Sequence, residues 1–268
     1  MDSPNNRRNN RTGPPFEHVD VAGHRLEYYW TRPRLAGETA LIFLHEGLGS
    51  AGLWRDFPAR VAAATGHPAL VYSRYGYGGS DMLAEPRGVD YMHHEALEVL
   101  PALRDALGID DPILIGHSDG ASIALIHAGA GRWPVRALVL EAAHVFVEDI
   151  SITGIEAAKM AYETTDLPRK LARHHADTDK TFFGWNSIWL DPAFRSWNIE
   201  SVLPTVDCPT LVIQGADDEY GTLAQVTTIG EQVAGAVETR VLDACGHSPH
   251  RDQPEQTLDA IVGFIKNL

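Results

Sequence analysis

Cysteine, basic residues and long apolar runs are all scarce in this 268-residue sequence. The two cysteines, Cys208 and Cys245, lack metal-ligand spacing and are too few for a disulfide framework, which suits a reducing cytoplasm. No stretch reaches the roughly 18 consecutive apolar residues of a membrane-spanning helix, and the polar N-terminus lacks the apolar stretch of a secretory signal. We therefore expect a cytoplasmic protein with no bound metal and no membrane partner.

Acidic residues outnumber basic ones by 36 to 22, which gives a formal net charge of −14 at pH 7. A surface of this sign repels phosphate backbones, so we expect no nucleic-acid partner. Hydrophobic residues make up 44% of the chain and charged residues 22%, a composition typical of a globular protein with one substantial core.

Strand-like and helix-like segments alternate along most of the chain. Residues 17–21 and 24–30 predict a hairpin with Ala22 and Gly23 at its turn. Further strands are predicted at residues 40–45, 69–73, 112–118, 137–143, 209–215 and 238–244. Helices are predicted at residues 53–64, 90–107, 119–130, 223–233 and 254–266. This alternation indicates right-handed βαβ units and a mainly parallel sheet.

One long segment before the last two predicted strands interrupts this alternation. It has no strand pattern but is rich in aromatic residues, and unstructured loops of that length are uncommon in compact domains. We expect residues 145–203 to form a helical lid over a core made of residues 17–144 and 204–268, with a disordered tail at 1–16. The alternative is an ordinary helical layer that contacts no ligand.

The motif Gly116-His117-Ser118-Asp119-Gly120 stands where a buried strand is predicted to end and a helix to begin. A serine at such a junction lies on a sharp turn with its hydroxyl above the sheet, and the helix N-terminus favours negative charge nearby. The flanking glycines are expected because side chains there would clash with the neighbouring strand and helix. Gly246-His247-Ser248 repeats the first three letters, but no helix is predicted after it, so Ser118 is the candidate nucleophile.

A serine hydroxyl needs a base within hydrogen-bond reach, and that base needs a carboxylate to orient it. His247 follows the last predicted strand, at the same edge of the sheet as Ser118, and His250 is a nearby rival. Asp217 and Asp218 both follow the preceding strand at that edge. The chain order serine, aspartate, histidine is the one expected of this architecture.

A glycine-rich segment, residues 45–50, follows the strand predicted at 40–45. Its amides can turn inward without obstruction, and one of them together with the amide of Asp119 would supply two donors to an oxyanion. Neither the phosphate-binding G-x-x-x-x-G-K-[ST] pattern nor the dinucleotide-binding G-x-G-x-x-G pattern is formed, so we expect no cofactor.

Over residues 17–268 the chain resembles proteins of the α/β-hydrolase fold. The resemblance is carried, in order, by five motifs: FLHEGLGS, SRYGYGGSD, GHSDG, LVIQGADDEYG and DACGHSPHRDQPE. It implies that Asp218 is the acid, because the family's acid usually lies three residues after the strand-ending glycine, and that Gly47 is an oxyanion donor. Glu46 departs from the family, since many relatives have glycine there. It could tune the substrate's charge preference or point away from the site.

The resemblance implies a cofactor-independent serine hydrolase of the carboxylesterase or lactonase type, acting on esters or lactones of small organic acids. Ser118 would attack the carbonyl, His247 would take the proton, and Asp218 would stabilise the imidazolium. The amides of Gly47 and Asp119 would hold the oxyanion. The residues expected to contact substrate are Glu46, His45, Trp185 and Trp189, although the lid aromatics, which include Phe182 and Phe183, could equally form the lid's own core.

Several alternatives share this scaffold. The same triad could hydrolyse a carbon–carbon bond in a vinylogous diketone or dienoate, or serve a perhydrolase-like or haloperoxidase-like reaction. A ligand-binding protein with slow turnover belongs to another class, and a homodimer is also left open. A serine nucleophile argues against epoxide hydrolase and dehalogenase chemistry, which proceeds through an aspartyl ester.

Overall fold

The computed structural model describes residues 15–268, so the tail predicted at 1–16 lies, apart from its last two residues, outside the described residues. Within the described part, eight strands form one sheet in the order β1-β2-β4-β3-β5-β6-β7-β8. The strands are β1 Glu17–Val21, β2 His24–Trp30, β3 Leu41–Leu44, β4 Ala69–Tyr72, β5 Ile113–His117, β6 Ala137–Glu141, β7 Thr210–Gly215 and β8 Val237–Leu242. Strands β3 to β8 pair in parallel, and the antiparallel hairpin β1–β2 extends the sheet beside β4.

Helices connect these strands and cover the sheet. They are α1 Phe57–Thr65, α2 Tyr91–His94, α3 Leu100–Ala106, α4 Asp119–Gly129, α5 Asp149–Thr164, α6 Leu167–Leu171, α7 Thr178–Trp189, α8 Leu223–Gln232, α9 Pro249–Asp252 and α10 Pro254–Lys266. Among residues 15–268, no helix is both long enough and apolar enough to cross a membrane.

The core lies on both faces of the sheet. Successive residues of a strand point to opposite faces, and Ile42 and Phe43 of β3 accordingly belong to two different buried hydrophobic clusters. Strands β3 to β7 are buried along their whole length, whereas β8, at the sheet edge, is largely exposed. The continuous apolar runs in the sequence therefore correspond to strands covered on both sides.

Three helix predictions need correction. The helix predicted at 53–64 begins only at residue 57, because residues 51–54 form a short 3₁₀ turn and Arg55 then takes a left-handed φ of 54°. The helix predicted at 90–107 contains a π-helical turn at Glu95–Val99. It precedes Pro101, which has no N–H to donate to the carbonyl four residues earlier. The short helix α9 does begin after Ser248, where none was predicted.

The segment between β6 and β7 contains α5, α6 and α7, followed by two 3₁₀ turns at Pro192–Ser196 and Glu200–Thr205. Its first helix has a capping box, in which the side chain of Glu148 accepts the Ser151 amide and the Ser151 hydroxyl receives the Glu148 amide. Its last α-helix, α7, has Asp177 as its N-cap residue, whose carboxylate accepts the amide of Lys180.

Candidate active site

Ser118 occupies a sharp turn between β5 and α4. Its backbone has φ 53° and ψ −117°, a conformation that is unfavourable for a residue with a side chain and that persists only where the surroundings impose it. A Cβ on Gly116 would lie 2.4 Å from the carbonyl of Gly120, and one on Gly120 would lie 2.0 Å from the carbonyl of Leu44 in β3. Both glycines are therefore required for the strand, the turn and the helix to pack this closely.

The loops after β7 and β8 bring an acid and a base to this serine. His247 Nε2 lies 2.9 Å from Ser118 Oγ, and His247 Nδ1 lies 2.9 Å from each carboxylate oxygen of Asp218. The two loops approach closely because β7 ends in Gly215, where a Cβ would lie 2.2 Å from the Cys245 carbonyl. A hydroxyl, an imidazole and a carboxylate are thus joined in one continuous chain of contacts.

The Asp218 carboxylate is buried among donors. Gln214 Nε2 donates to Oδ2 over 2.6 Å, and the amides of Tyr220 and Gly221 donate to Oδ1 over 2.8 and 3.2 Å. Burial tends to raise the pKa of Asp218, but the hydrogen bond and charge of His247 outweigh it and hold the pKa below its usual value. An ionised carboxylate beside Nδ1 keeps the proton on that nitrogen and leaves Nε2 free to accept from the serine.

Gln214 was missed by the sequence reasoning. The only signal for it was a polar side chain inside β7, TLVIQG, which is otherwise apolar apart from its first residue. Asp217, the other candidate acid, is exposed, and among the described residues only Asp218 has a carboxylate hydrogen-bonded to the His247 ring; the Glu219 carboxylate accepts the backbone amide of His247 instead, over 3.2 Å.

The candidate oxyanion donors are near Ser118, since Gly47 lines the same pocket and Asp119 directly follows the serine. The amide of Gly47 is in the loop after β3, and the amide of Asp119 is at the first residue of α4. Neither amide donates a hydrogen bond to another described residue. Gly47 needs to be glycine, because a Cβ there would lie 2.0 Å from the indole Nε1 of Trp185. Both amides are therefore available to a negatively charged oxygen.

Arg74, in the segment SRYGYGGSD after β4, is fully buried behind these donors. Its Nη2 lies 3.2 Å from the carbonyl of His45, 3.0 Å from the carbonyl of Glu46 and 3.5 Å from the carboxylate of Asp119. The Tyr91 hydroxyl also donates to that carboxylate, over 2.8 Å. One guanidinium thus contacts both segments that carry the donors. The sequence reasoning did not single out this arginine, although a charged residue directly after a buried strand was a usable signal.

The serine opens into a pocket of about 220 Å³. Its walls combine residues of the core with residues of the inserted segment: Glu46, Gly47, Leu48, His117, Ser118, His144, Ser151, Ile155, Trp185, Trp189, Glu219, Tyr220, His247, Ser248 and Arg251. The aromatic residues of the segment divide into two groups. Trp185 and Trp189 line this pocket, whereas Phe182 stacks on Tyr162 with ring centroids 3.8 Å apart and Phe183 is partly exposed.

His45 is not among the lining residues. Its side chain is buried, and its Nε2 accepts the amide of Arg74 over 3.0 Å while its Nδ1 lies 2.7 Å from the carbonyl of Glu46. Burial and the neighbouring Arg74 charge hold the pKa of His45 well below its usual value, in keeping with a neutral ring that accepts through Nε2. His45 therefore supports the backbone of the loop that carries Gly47.

Two other buried histidines lie near the site but contact different groups. His250, the rival base, has its Nδ1 2.7 Å from the carboxylate of Glu141, whereas the base hydrogen-bonded to Ser118 is His247. His144 lines the pocket, and burial lowers its pKa to about 3, so its ring is neutral at any pH above about 4. Within the described residues, no group of three or more histidine, cysteine, aspartate or glutamate side chains could hold a metal ion.

Comparison with known proteins places this chain in a family. The profile of the alpha/beta hydrolase family matches residues 41–260, and the chain belongs to that family. The resemblance inferred from the five motifs, and the fold expected from it, are thereby confirmed. It is a hydrolase family, and its members use this sheet with different substrates.

Individual relatives are distant. The mouse sn-1-specific diacylglycerol lipase ABHD11 is 24% identical over 84% of this chain and 80% of the lipase. A proline iminopeptidase from Levilactobacillus brevis is 34% identical over 76% of this chain and 82% of the peptidase. The crystal structure of the enol-lactonase from Burkholderia xenovorans LB400 superposes with a TM-score of 0.73 at 20% identity, covering 93% of this chain and 100% of the lactonase. At that identity the structural similarity shows the fold alone.

Proposed function

We propose that this protein is a cofactor-independent serine hydrolase that cleaves a small carboxylic ester or lactone through an acyl-enzyme. The observation that carries the proposal is the contact chain from Ser118 Oγ through His247 to the Asp218 carboxylate, with both links at 2.9 Å. Nucleophile, base and orienting acid at hydrogen-bond distance form the arrangement that activates a serine hydroxyl near neutral pH.

In the proposed reaction, Ser118 Oγ attacks the carbonyl carbon while its proton passes to His247 Nε2. Asp218 stabilises the resulting imidazolium, and the amides of Gly47 and Asp119 stabilise the oxyanion of the tetrahedral intermediate. Collapse of that intermediate expels the alcohol, which takes the proton from His247 and leaves an acyl group on Ser118. Water, activated by the same imidazole, then releases the acid.

The pocket supports a small and mainly apolar acyl group. Its volume is about 220 Å³, and Leu48, Ile155, Trp185 and Trp189 supply apolar walls. Arg251 is the only arginine or lysine among the residues that line this pocket, and it is already paired with Glu46 over 3.2 Å. An anionic substrate would therefore have no free cation to bind.

In this proposal the inserted segment, residues 145–203, acts as the lid. Ser151 and Ile155 of α5 and Trp185 and Trp189 of α7 form the side of the pocket that the core leaves open. We also place the protein in the cytoplasm, because its two cysteines are unpaired and a reducing compartment suits free thiols.

A substrate panel on the wild type and Ser118→Ala tests the proposal. It contains p-nitrophenyl esters of increasing acyl length, lactones, ring-cleavage dienoates and aminoacyl anilides. We expect the wild type to turn over short esters or lactones fastest and Ser118→Ala to lose nearly all of that activity, because only the oxyanion donors and binding remain. Ser187→Ala, an exposed serine on α7 outside the pocket, is the matched control and should behave as the wild type.

Each possible result of this substrate panel leads to a different conclusion about the function. Normal ester hydrolysis by Ser118→Ala would refute the assignment of the nucleophile. Preferential turnover of dienoates would instead identify a carbon–carbon bond hydrolase with the same triad, and preferential turnover of anilides would identify a peptidase. A burst of product that stops below one equivalent per chain would point to a ligand-binding protein with slow turnover.

A further inference from the structure

Glu46, the residue that departs from the family pattern, has its carboxylate held at the edge of the pocket. Its Oε2 lies 3.5 Å from His117 Nδ1, and its Oε1 accepts a hydrogen bond from Arg251 Nη2 over 3.2 Å. The side chain is only 16% exposed. The loop makes room for it through Gly49, where a Cβ would lie 2.3 Å from Oε2. The glutamate therefore points inward, toward groups of the core.

Both partners of this carboxylate, His117 and Arg251, are connected to the loop that carries His247, one by a hydrogen bond and the other along the chain. His117 Nε2 lies 2.7 Å from the backbone carbonyl of His247, and since a carbonyl only accepts, Nε2 donates its proton there and Nδ1 is the nitrogen that faces Glu46. Arg251 lies in α9, four residues after His247. Glu46 itself directly precedes Gly47, whose amide is a candidate oxyanion donor.

The charges favour this arrangement. Burial tends to lower the pKa of His117, but Glu46, Glu141 and the His247 carbonyl outweigh it, so the pKa of His117 is raised. Burial tends to raise the pKa of Glu46, yet contact with His117 and the charge of Arg251 hold it well below its usual value. A carboxylate held between the His117 ring and the Arg251 guanidinium has little capacity left for a third partner, such as a substrate ammonium.

We propose that Glu46 is a positioning residue that ties the oxyanion loop to the loop of His247 through His117 and Arg251, and so holds the Gly47 amide and the His247 imidazole in register about Ser118. The proposal rests on the serine hydrolase function argued above. Without the carboxylate the two loops lose their shared anchor, and the donor and the base can shift independently.

The test compares three variants, Glu46→Gln, Arg251→Gln and the double variant Glu46→Gln/Arg251→Gln, with the control Glu255→Gln. The substrates are the best ester of the panel and an ester with a cationic group. Glu255 pairs with Arg60 on the outer surface and lies outside the pocket, so Glu255→Gln should keep wild-type kinetics. A misplacement of the order of 1 Å costs about 100-fold in rate. We therefore expect Glu46→Gln to lower kcat about 10- to 100-fold, with KM within about twofold of the wild type.

Arg251→Gln should lower kcat less, because half of the link, through His117, remains. The double variant should be no slower than Glu46→Gln alone, since both changes remove the same contact. Labelling of Ser118 by a fluorophosphonate, which needs the base and the oxyanion donors but no substrate binding, should slow in parallel with kcat. Thermal unfolding of each variant shows whether the chain is folded at the assay temperature.

Three outcomes would overturn the proposal. Wild-type kcat and labelling in Glu46→Gln would reduce the contacts to an incidental ion pair. A rise in KM confined to esters with a cationic group would make Glu46 a substrate subsite. Strictly multiplicative losses in the double variant would show that the two residues act independently. The Ser118→Ala variant distinguishes failure of the positioning role from failure of the proposed hydrolase function. If Ser118→Ala is active, the serine hydrolase mechanism is refuted. If Ser118→Ala is inactive and Glu46→Gln behaves as the wild type, only the positioning role of Glu46 is refuted.

Discussion

Replacing Asp218 with asparagine is the sharpest probe of the site, because it changes one charge and almost no volume. An amide nitrogen at the Oδ1 position would face two donors, the amides of Tyr220 and Gly221. The Oδ2 position faces only one donor, Gln214 Nε2, so the nitrogen is expected there, 2.9 Å from His247 Nδ1. There it donates to Nδ1 and moves the imidazole proton to Nε2, the nitrogen that has to accept from Ser118.

The expected loss follows from the lost charge and the wrong tautomer. A unit charge pair about 4 Å apart is worth about 4 kcal/mol at an effective dielectric constant of 20. Since about 1.4 kcal/mol corresponds to a tenfold change in rate, loss of the carboxylate alone predicts about a 1,000-fold fall in kcat. The tautomer shift adds to this, for a total of about 10³- to 10⁴-fold. Stopped-flow or endpoint ester hydrolysis, with active sites titrated, measures it.

The matched control is Asp217→Asn, which makes the same chemical change one residue earlier at an exposed position. It should leave kcat within about twofold of the wild type, because surface charges away from such a site contribute little. The reasoning is refuted if Asp218→Asn retains kcat within tenfold of the wild type, or if Asp217→Asn loses as much as Asp218→Asn.

Two further predictions concern packing and the thiols. Gly120→Ala should lower the free energy of unfolding by about 1–3 kcal/mol and also lower kcat, because its Cβ would lie 2.0 Å from the Leu44 carbonyl. Gly263→Ala, whose Cβ would meet nothing within 4 Å, should instead raise the free energy of unfolding by up to about 1 kcal/mol by stabilising α10. Urea unfolding measures both changes. Burial raises the pKa of Cys208 to about 11 and that of Cys245 to about 12. At pH 8 the ionised fraction would be only about one in 10³ for Cys208 and about one in 10⁴ for Cys245. Iodoacetamide should therefore label the native chain far more slowly than the urea-unfolded chain. Equal labelling rates would show that the thiols are not buried.

Much of the fold could be predicted because its strands are defined by local pattern. The run ILIGH at Ile113–His117 is short and, up to its final histidine, has no polar side chain, and the structure buries it on both faces of the sheet. The sharp turn at residues 116–120 could also be predicted, since a glycine on each side of a serine at a strand-to-helix junction reflects a local steric requirement. The glycine contacts at this turn show that requirement directly.

Other features were hidden because they depend on neighbours distant in sequence. Gln214 matters through its contact with the Asp218 carboxylate, and Arg74 matters through carbonyls almost 30 residues earlier. The π-helical turn before Pro101 interrupts a segment whose apolar spacing alone is compatible with a continuous helix. In each case the sequence shows the residue but not the group that gives it a role.

The sequence alone determined the alternation of strands and helices, the position of the sharp turn at Ser118 and the set of candidate acids and bases, because these depend on short-range periodicity and backbone sterics. Local pattern could not assign partners among the 13 histidines, and the pairing of His247 with Asp218 was expected only from the family resemblance. The tertiary structure shows that pair in contact and pairs His250 with Glu141. The physical reason is that hydrogen bonds between side chains hold only over about 3 Å, and that separation is set by how loops from different strands pack together, which no local pattern encodes.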